Sequence, residues 1–186
     1  MEARLAAPIQ ADSIVDGEGI RAVIWMQGCS HNCPCCHNPS THDFKGGFLV
    51  DIEDIKKELD SLCGIDGITL SGGDPMFQID ASLEIARHAK KLGLNVWCYT
   101  GYTFEQLLTI MEKNKKLLRL LENIDVLIDG RFEIDKLSYE VAFRGSKNQR
   151  VLDIPSSLKE KKPVEIEKYK LKDVNAPSRS DDMIFI

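Results

Sequence analysis

Short runs of β-branched and aromatic residues alternate with amphipathic segments along most of this chain. The strand-like runs are RAVIWMQ (21–27), GITLS (67–71), LNVWCYT (94–100) and DVLID (125–129). Helical periodicity predicts helices over 51–62, 80–92 and 103–111, the last with a further turn to about 121. Strands that alternate with helices pair in parallel through right-handed crossovers. The pattern therefore predicts an α/β fold.

The length of the chain limits how far this alternation can continue. A closed eight-stranded (β/α) barrel takes about 250 residues, whereas this chain has 186. The chain has room for about five or six repeats on that scale. We therefore expect an incomplete (β/α) barrel with mostly parallel strands, and an open side that suits a macromolecular substrate.

The C-terminal part differs in composition from the rest. No glycine follows Gly145, and 13 of the last 32 residues are charged. Such a charged segment is typical of a solvated surface. We expect a partial-barrel domain over 1–154 and a charged C-terminal extension of unknown role over 155–186.

Charge and hydropathy narrow the possible partners and locations. A net charge of −5 and a pI near 5.4 argue against nonspecific nucleic-acid binding and against an anionic membrane surface. No apolar run approaches the roughly 18 residues that a membrane helix needs. The first ten residues carry Glu2 and Arg4 and no long apolar core, which is unlike a signal peptide. We expect a cytoplasmic protein that binds neither nucleic acid nor a membrane.

Four of the six cysteines lie close together, at Cys29, Cys33, Cys35 and Cys36. A reducing compartment disfavours disulfides, so a metal or redox site is the first hypothesis. The other two, Cys63 and Cys98, are expected to be small core residues.

Three of the clustered cysteines, Cys29, Cys33 and Cys36, form C-x3-C-x2-C directly after a predicted strand. Three thiolates from one loop can hold three corners of a [4Fe–4S] cluster and leave the fourth iron open to a substrate. Zinc is the alternative, with Cys33 and Cys36 as one ligand pair. Its second pair would be Cys29 with one of the nearby histidines, His31, His37 or His42. The compact motif favours the iron–sulfur site.

The other glycine-containing segments also follow predicted strands. They lie at 72–75, 101–102 and 130–131, as the cysteine loop does at 28–38. In parallel α/β folds, ligands gather beyond the carboxyl ends of the strands. In Ser71-Gly72-Gly73-Asp74-Pro75, the two glycines let a ligand approach the backbone, and strand-end carbonyls can accept hydrogen bonds from an ammonium group. We predict that the four segments form one shared site.

Taken together, these motifs resemble a known superfamily. C-x3-C-x2-C after one strand and Gly-Gly-acid after the next resemble the radical S-adenosylmethionine (SAM) superfamily. GCSHNCPCCHN (28–38), followed by Ser40-Thr41, is similar to the activating enzymes of glycyl radical enzymes. Four more segments resemble the activating proteins of anaerobic ribonucleoside-triphosphate reductase: LSGGDP (70–75), YTGYTF (99–104), VLIDGRF (126–132) and RGSKNQR (144–150). The resemblance covers roughly 11–151.

The resemblance implies a site and two cofactors. Cys29, Cys33 and Cys36 would bind a [4Fe–4S] cluster, and SAM would bind its open iron. The amino end of SAM would be fixed by Gly72, Gly73 and Asp74, and its adenosyl end would contact the backbone around Cys35, Cys36 and His37. A side chain at position 73 is expected to occupy the space of the methionyl group. For Asp129, a contact with the ribose and a structural cap are both open.

The resemblance also implies a function. The protein would reductively cleave SAM at the cluster and generate a glycyl radical on anaerobic ribonucleoside-triphosphate reductase. The electron would come from a one-electron donor such as flavodoxin or ferredoxin. The core step needs no protein acid or base, so no catalytic side chain is predicted.

The sequence departs from the family pattern at two positions. His42 stands where the family commonly has an aromatic residue, and Cys35 stands where close relatives often have glycine. The spacing favours Cys36 over Cys35 as the third ligand. Two alternative functions are an activase of another glycyl radical enzyme, such as pyruvate formate-lyase, and a non-catalytic zinc- or cluster-binding module. The YTGYTF and RGSKNQR segments favour the reductase activase.

Overall fold

The computed structural model describes residues 1–171, which form eight strands and five α-helices. The strands are β1 (Glu2–Leu5), β2 (Gln10–Ser13), β3 (Arg21–Met26), β4 (Phe48–Asp51), β5 (Gly67–Gly72), β6 (Asn95–Tyr99), β7 (Val126–Asp129) and β8 (Arg150–Asp153). The helices are α1 (Ile52–Ser61), α2 (Ile79–Lys91), α3 (Phe104–Met111), α4 (Lys115–Leu121) and α5 (Ile154–Glu160). The predicted C-terminal extension lies outside the described residues from position 172 onward.

All eight strands belong to one mixed sheet. Its order is β4-β1-β3-β5-β6-β7-β8, and β2 also pairs with β3. The centre, β3-β5-β6-β7, is parallel, and these are the four strands that the sequence predicts. The remaining pairings, which involve β1, β2, β4 and β8, are antiparallel. The α/β class with a parallel centre is confirmed.

The sheet of the described chain is open, and a barrel is not confirmed. The path of paired strands ends at β4 on one side and at β8 on the other. The sheet has four parallel strands, fewer than the five or six repeats that the chain length allowed. Its other strands are short and antiparallel. The crossover helices connect only β3, β5, β6 and β7.

One face of the sheet packs against the helices. Along β6, Val96 and Cys98 join the core that contains α1–α4, while Trp97 faces the other way, as the two-residue period of a strand requires. Helix α1 begins where Asp51 accepts a hydrogen bond from Glu53 N at 3.0 Å. Its buried residues, Ile52, Ile55 and Leu59, share one face, and burial of each such side chain contributes roughly 1.5–3 kcal/mol.

The opposite face is covered by a chain segment that follows α5. Residues 164–170, called the return segment below, run beside β8, where Asp153 N donates to Val164 O and Ile166 N donates to Val151 O, both at 2.9 Å. The segment then crosses the sheet, and Tyr169 packs edge-on against Phe143 at 5.6 Å between ring centroids. Farther on, Lys168 and Tyr169 both bond to Glu18, which precedes β3. The apolar cluster beneath the segment is Trp97, Val126, Ile128 and Val151.

None of the helices within residues 1–171 combines the length and the hydropathy that crossing a membrane requires.

Candidate cluster-binding site

The four segments that follow the parallel strands meet at one edge of the sheet. Asp74 N donates to Gly28 O at 3.0 Å, which joins the loop after β5 to the loop after β3. Gly101 N, after β6, donates to the Asp74 carboxylate at 2.9 Å. Gly130 N, after β7, donates to Tyr102 O at 2.9 Å. The prediction that these segments lie together is confirmed.

The cysteine loop makes a tight turn between Cys33 and Cys36. Cys36 N donates to Cys33 O at 3.1 Å, and Cys29 N is tied to His42 O at 3.2 Å. Cys35 has a φ of +56°, a left-handed conformation that is rare for residues with a side chain. Cys29, Cys33 and Cys36 are half-buried, whereas Cys35 is exposed. Exposure thus separates Cys35 from the three cysteines of the C-x3-C-x2-C motif.

Burial affects the protonation of two thiols. It raises the pKa of Cys29, and the negative charge of Asp74 acts in the same direction. It also raises the pKa of Cys33, while the positive charge of Arg131 acts against this. Iron binds thiolates, so uptake of a metal centre displaces the protons that these cysteines carry.

The loop fits an iron–sulfur cluster. A [4Fe–4S] cluster takes one thiolate on each of three irons, and the loop offers three half-buried thiols near the end of β3. A single zinc ion instead needs all its ligands to converge on one point. Within residues 1–171, no three His, Cys, Asp or Glu side chains are grouped to hold one metal ion. Of the histidines considered for zinc, His31 is engaged elsewhere, with Asp74.

The carboxylate of Asp74 is buried and fully engaged. It is 1% exposed, and its Oδ1 accepts a hydrogen bond from Met76 N at 2.9 Å. Its Oδ2 accepts from His31 Nε2 at 2.8 Å, and from Thr100 Oγ1 and Gly101 N at 2.9 Å each. Four protein donors therefore use this side chain, and the backbone of Asp74 is engaged as well, since its N–H donates to Gly28 O and its carbonyl accepts from Phe77 N, both at 3.0 Å. A histidine inside the cysteine motif is the one sequence signal that could have indicated the His31 pairing.

The two glycines of the Gly-Gly-Asp loop are needed for close backbone approaches. Gly72 has a φ of +98°, and Gly73 N donates to Met26 O at 2.6 Å. A Cβ at position 73 would lie 2.5 Å from Gly28 O. A side chain at position 73 would therefore meet the backbone of Gly28, and its overlap with the methionyl group of SAM stays a prediction.

Other predicted positions lie around this edge. His37 is exposed, next to the half-buried Cys36, and its contact with the adenosyl group stays a prediction. Asp129 is 1% exposed, accepts from Phe104 N at 2.7 Å and pairs with Arg150. The carboxylate of Asp129 thus caps α3, which is one of the two roles that the sequence left open for this residue. Cys98 is buried as expected, but Cys63 is exposed and that expectation is wrong.

A cavity of about 450 Å³ lies at the opposite edge of the sheet and is distinct from this site. Its lining includes Arg21, Asn95 and Val126, which begin β3, β6 and β7. The cysteine loop lies at the carboxyl edge and not beside this cavity.

Comparison with known proteins gives two concordant findings. Residues 15–152 match a family model described as a 4Fe-4S single cluster domain. Three relatives are each named anaerobic ribonucleoside-triphosphate reductase-activating protein. The Haemophilus influenzae protein is 33% identical over 147 residues, 73% of this chain and 89% of the relative. The proteins of Enterobacteria phage T4 and Escherichia coli K12 are 35% and 34% identical over 146 residues, 74% of this chain and 86% and 91% of theirs.

The chain belongs to the anaerobic ribonucleoside-triphosphate reductase-activating protein family. The region matched by the 4Fe-4S model contains all four segments of the carboxyl edge. It ends within β8, so α5 and the return segment lie beyond it. The site of this activating-protein chain is thus built wholly from the matched region.

Proposed function

We propose that this protein is a radical SAM activase that generates a glycyl radical on anaerobic ribonucleoside-triphosphate reductase. The observation that carries the proposal is the contact between the cysteine loop and the Gly-Gly-Asp loop, made by Asp74 N and Gly28 O at 3.0 Å. It puts a cluster-binding motif beside a backbone suited to an amino acid ligand. The names of the Haemophilus and phage T4 relatives state the reductase as their target.

The residues of the site divide into a cluster-holding and a SAM-holding set. Cys29, Cys33 and Cys36 would hold the [4Fe–4S] cluster. Gly72, Gly73 and Asp74 would hold the amino end of SAM through their backbone, and the backbone at 35–37 would meet its adenosyl end. When bound, the cluster and SAM supply one-electron cleavage of the S–C5′ bond, which yields methionine, 5′-deoxyadenosine and a glycyl radical on the partner.

The chain itself positions these groups and shields them. Its buried hydrogen bonds at Asp74 fix the two loops, and the half-buried rings of Phe77 and Tyr102 lie against His31. Such packing limits water near a reactive centre. No side chain is assigned to acid–base chemistry.

The wider setting is part of the same proposal. The activase domain covers 1–154 and its open sheet is an incomplete (β/α) barrel, with residues 155–186 as a C-terminal extension. The partner would approach the carboxyl edge, and a flavodoxin- or ferredoxin-like donor in the cytoplasm would supply the electron. The chain's net charge of −5 does not oppose a protein partner, because local complementarity decides such contacts.

The test is to mix reduced protein, SAM and the purified reductase without oxygen and record the electron paramagnetic resonance spectrum. We expect a glycyl radical doublet that collapses when the target glycine carries deuterium at Cα. The Cys36→Ala variant is the control and should give no radical. SAM cleavage with a radical on pyruvate formate-lyase but none on the reductase would instead identify another glycyl radical enzyme as the target. Absence of SAM cleavage, with zinc in place of iron, would support a non-catalytic module.

A further inference from the structure

The cysteine loop is attached to the rest of the protein by few hydrogen bonds. Between residues 30–37 and the remainder of the described chain, His31 Nε2 donates to Asp74 Oδ2 at 2.8 Å, and the backbone of Phe132 hydrogen-bonds to the Cys33 thiol. Of the three proposed cluster cysteines, Cys33 and Cys36 lie within these residues and Cys29 directly precedes them. A cluster held by them moves with the loop. The base of the loop is joined to the Gly-Gly-Asp loop by Asp74 N and Gly28 O, and its middle is joined to that loop by the His31 bond.

The His31 ring is held in one orientation. Its side chain is 5% exposed, and the ring packs edge-on against Tyr102 at 4.6 Å and tilted against Phe77 at 5.7 Å between centroids. Gly101 leaves room for it, since a Cβ there would collide with the imidazole. The ring thus fits a space bounded by two aromatic side chains and a glycine, with Nε2 directed at Asp74.

Asp74 connects this ring to two other loops. The same carboxylate oxygen accepts from Thr100 and Gly101, which follow β6, and Asp74 itself follows β5. One buried oxygen therefore joins the loops after three adjacent parallel strands. Hydrogen bonds to a charged acceptor are stronger than neutral ones, so this junction is well suited to fix distances.

We propose that His31 is a positioning residue, which locks the cluster-binding loop to the SAM-binding loop through Asp74. The inference rests on the proposed function and deepens it by naming the side chain that holds the two halves of the site in register. His31 acts through Asp74 and the loop; it does not bind the metal.

The experiment uses two substitutions at His31 in the full chain, with cluster reconstituted anaerobically. His31→Leu removes the donor and keeps an apolar volume, whereas His31→Gln keeps an N–H donor at similar reach. The readouts are iron and sulfide per chain, thermal unfolding, and the change that SAM produces in the spin resonance spectrum of the reduced cluster. Titration of that change gives the dissociation constant for SAM.

We expect His31→Leu to bind SAM about ten- to a hundredfold more weakly, which is the effect of one hydrogen bond to a charged group. We expect His31→Gln to recover most of the affinity. Thr100→Val removes another donor from the same oxygen but leaves the cysteine loop attached, so its SAM affinity should fall less.

His88→Leu is the matched control. His88 Nε2 lies 2.7 Å from Asp60 Oδ1, a pair of similar geometry on the outer surface of the helices. This variant should keep the wild-type affinity for SAM.

Three outcomes would overturn the inference. The first is wild-type SAM affinity in His31→Leu, and the second is a His31→Gln variant as defective as His31→Leu. The third is an equal loss of SAM affinity in Thr100→Val. If His31→Leu takes up no cluster, recovery of cluster and SAM binding in His31→Gln supports the inference, and failure of both overturns it. A wild-type protein that gives no response to SAM would instead refute the proposed function.

Discussion

At the scale of single residues, Gly73 illustrates how closely the cysteine loop is packed. A methyl group there would meet the backbone of Gly28, one residue before Cys29. We expect Gly73→Ala to lose about half or more of its iron, because overpacking forces the backbone to shift. Iron per chain after reconstitution is the measurement.

The control for this substitution is Gly64→Ala. Nothing lies within 4 Å of a Cβ at Gly64, although its φ is +73°. The change should cost roughly 1 kcal/mol in unfolding free energy from backbone conformation, with iron unchanged. A Gly73→Ala protein that keeps a full cluster would show that the loop can move without loss.

The exposed Cys35 and the half-buried Cys36 make a second prediction. Cys36→Ala should lose the cluster, whereas Cys35→Ala should keep about four irons and four sulfides per chain. The physical reason is that Cys35 lies in the left-handed conformation and its side chain faces solvent. Iron and sulfide analysis with visible absorption measures both variants. A full cluster in Cys36→Ala but none in Cys35→Ala would reverse the ligand assignment.

Residue roles differed in how far the sequence could predict them. The cysteine motif was predictable because its members are neighbours in the chain. The pairing of His31 with Asp74 was not, because 43 positions separate them and only the parallel sheet brings them together. The general tendency of free cysteines to be buried fails at Cys63, because this residue lies after the end of α1 and is exposed.

At the scale of elements, Arg150 ties β8 to the start of α3. It pairs with Asp129 at the end of β7 and with Glu105 at 2.8 Å. The hydrogen bonds from Arg150 lower the pKa of Glu105 to about 2, from its ordinary value of 4.5. A lowered pKa gives stability that is fully present above pH 4.5 and is lost as the pH falls through about 2.

We therefore expect Glu105→Gln to be less stable than wild type by about 0.5 kcal/mol above pH 5, since Glu105 is half exposed. The difference should shrink as the pH falls below 4.5, where the unfolded wild type begins to bind the proton. Urea unfolding of the metal-free protein at several pH values measures it. Glu133→Gln, which removes a surface pair with Lys136, is the control. A difference that grows toward low pH would contradict the argument.

The parallel strands were predictable at this scale and the antiparallel ones were not. β3, β5, β6 and β7 are largely buried and rich in aliphatic or aromatic residues, which marks them in the sequence. β2 and β4 are four residues each, and most of their positions are exposed or half-buried. Short strands of this kind leave no clear alternation, so their pairing, and with it the open sheet, came only from the structure.

At the scale of the whole molecule, the return segment covers the face of the sheet that the helices leave free. Tyr169 packs against Phe143 and Trp97, and its backbone carbonyl accepts a hydrogen bond from Arg144 at 2.6 Å. We expect Tyr169→Ala to lower the free energy of unfolding by about 1–2 kcal/mol through lost aromatic packing. The iron content of this variant should not change. Tyr169 bonds to Glu18 at the edge of the sheet where β3 begins, whereas the cysteines lie at the edge where β3 ends.

The control is Tyr139→Ala, since Tyr139 is 93% exposed. That variant should stay within about 0.5 kcal/mol of wild type in the same urea unfolding experiment. Equal stability of the two variants would mean that the return segment adds little to the fold. A loss of iron in Tyr169→Ala would show that the two edges of the sheet are coupled.

The crowded carboxylate of Asp74 also constrains the evolutionary history of the site. A glutamate there would extend the carboxyl group by about 1.5 Å, into the space of the His31 ring and the Gly101 backbone. His31 cannot stay in place, because its ring donates a hydrogen bond to this carboxylate. Gly101 cannot make room, because a glycine has no side chain to remove. Lineages that exchange aspartate for glutamate should therefore also have replaced His31. Sorting related sequences by their residue at position 74 should then separate two groups, each with its own residue at position 31.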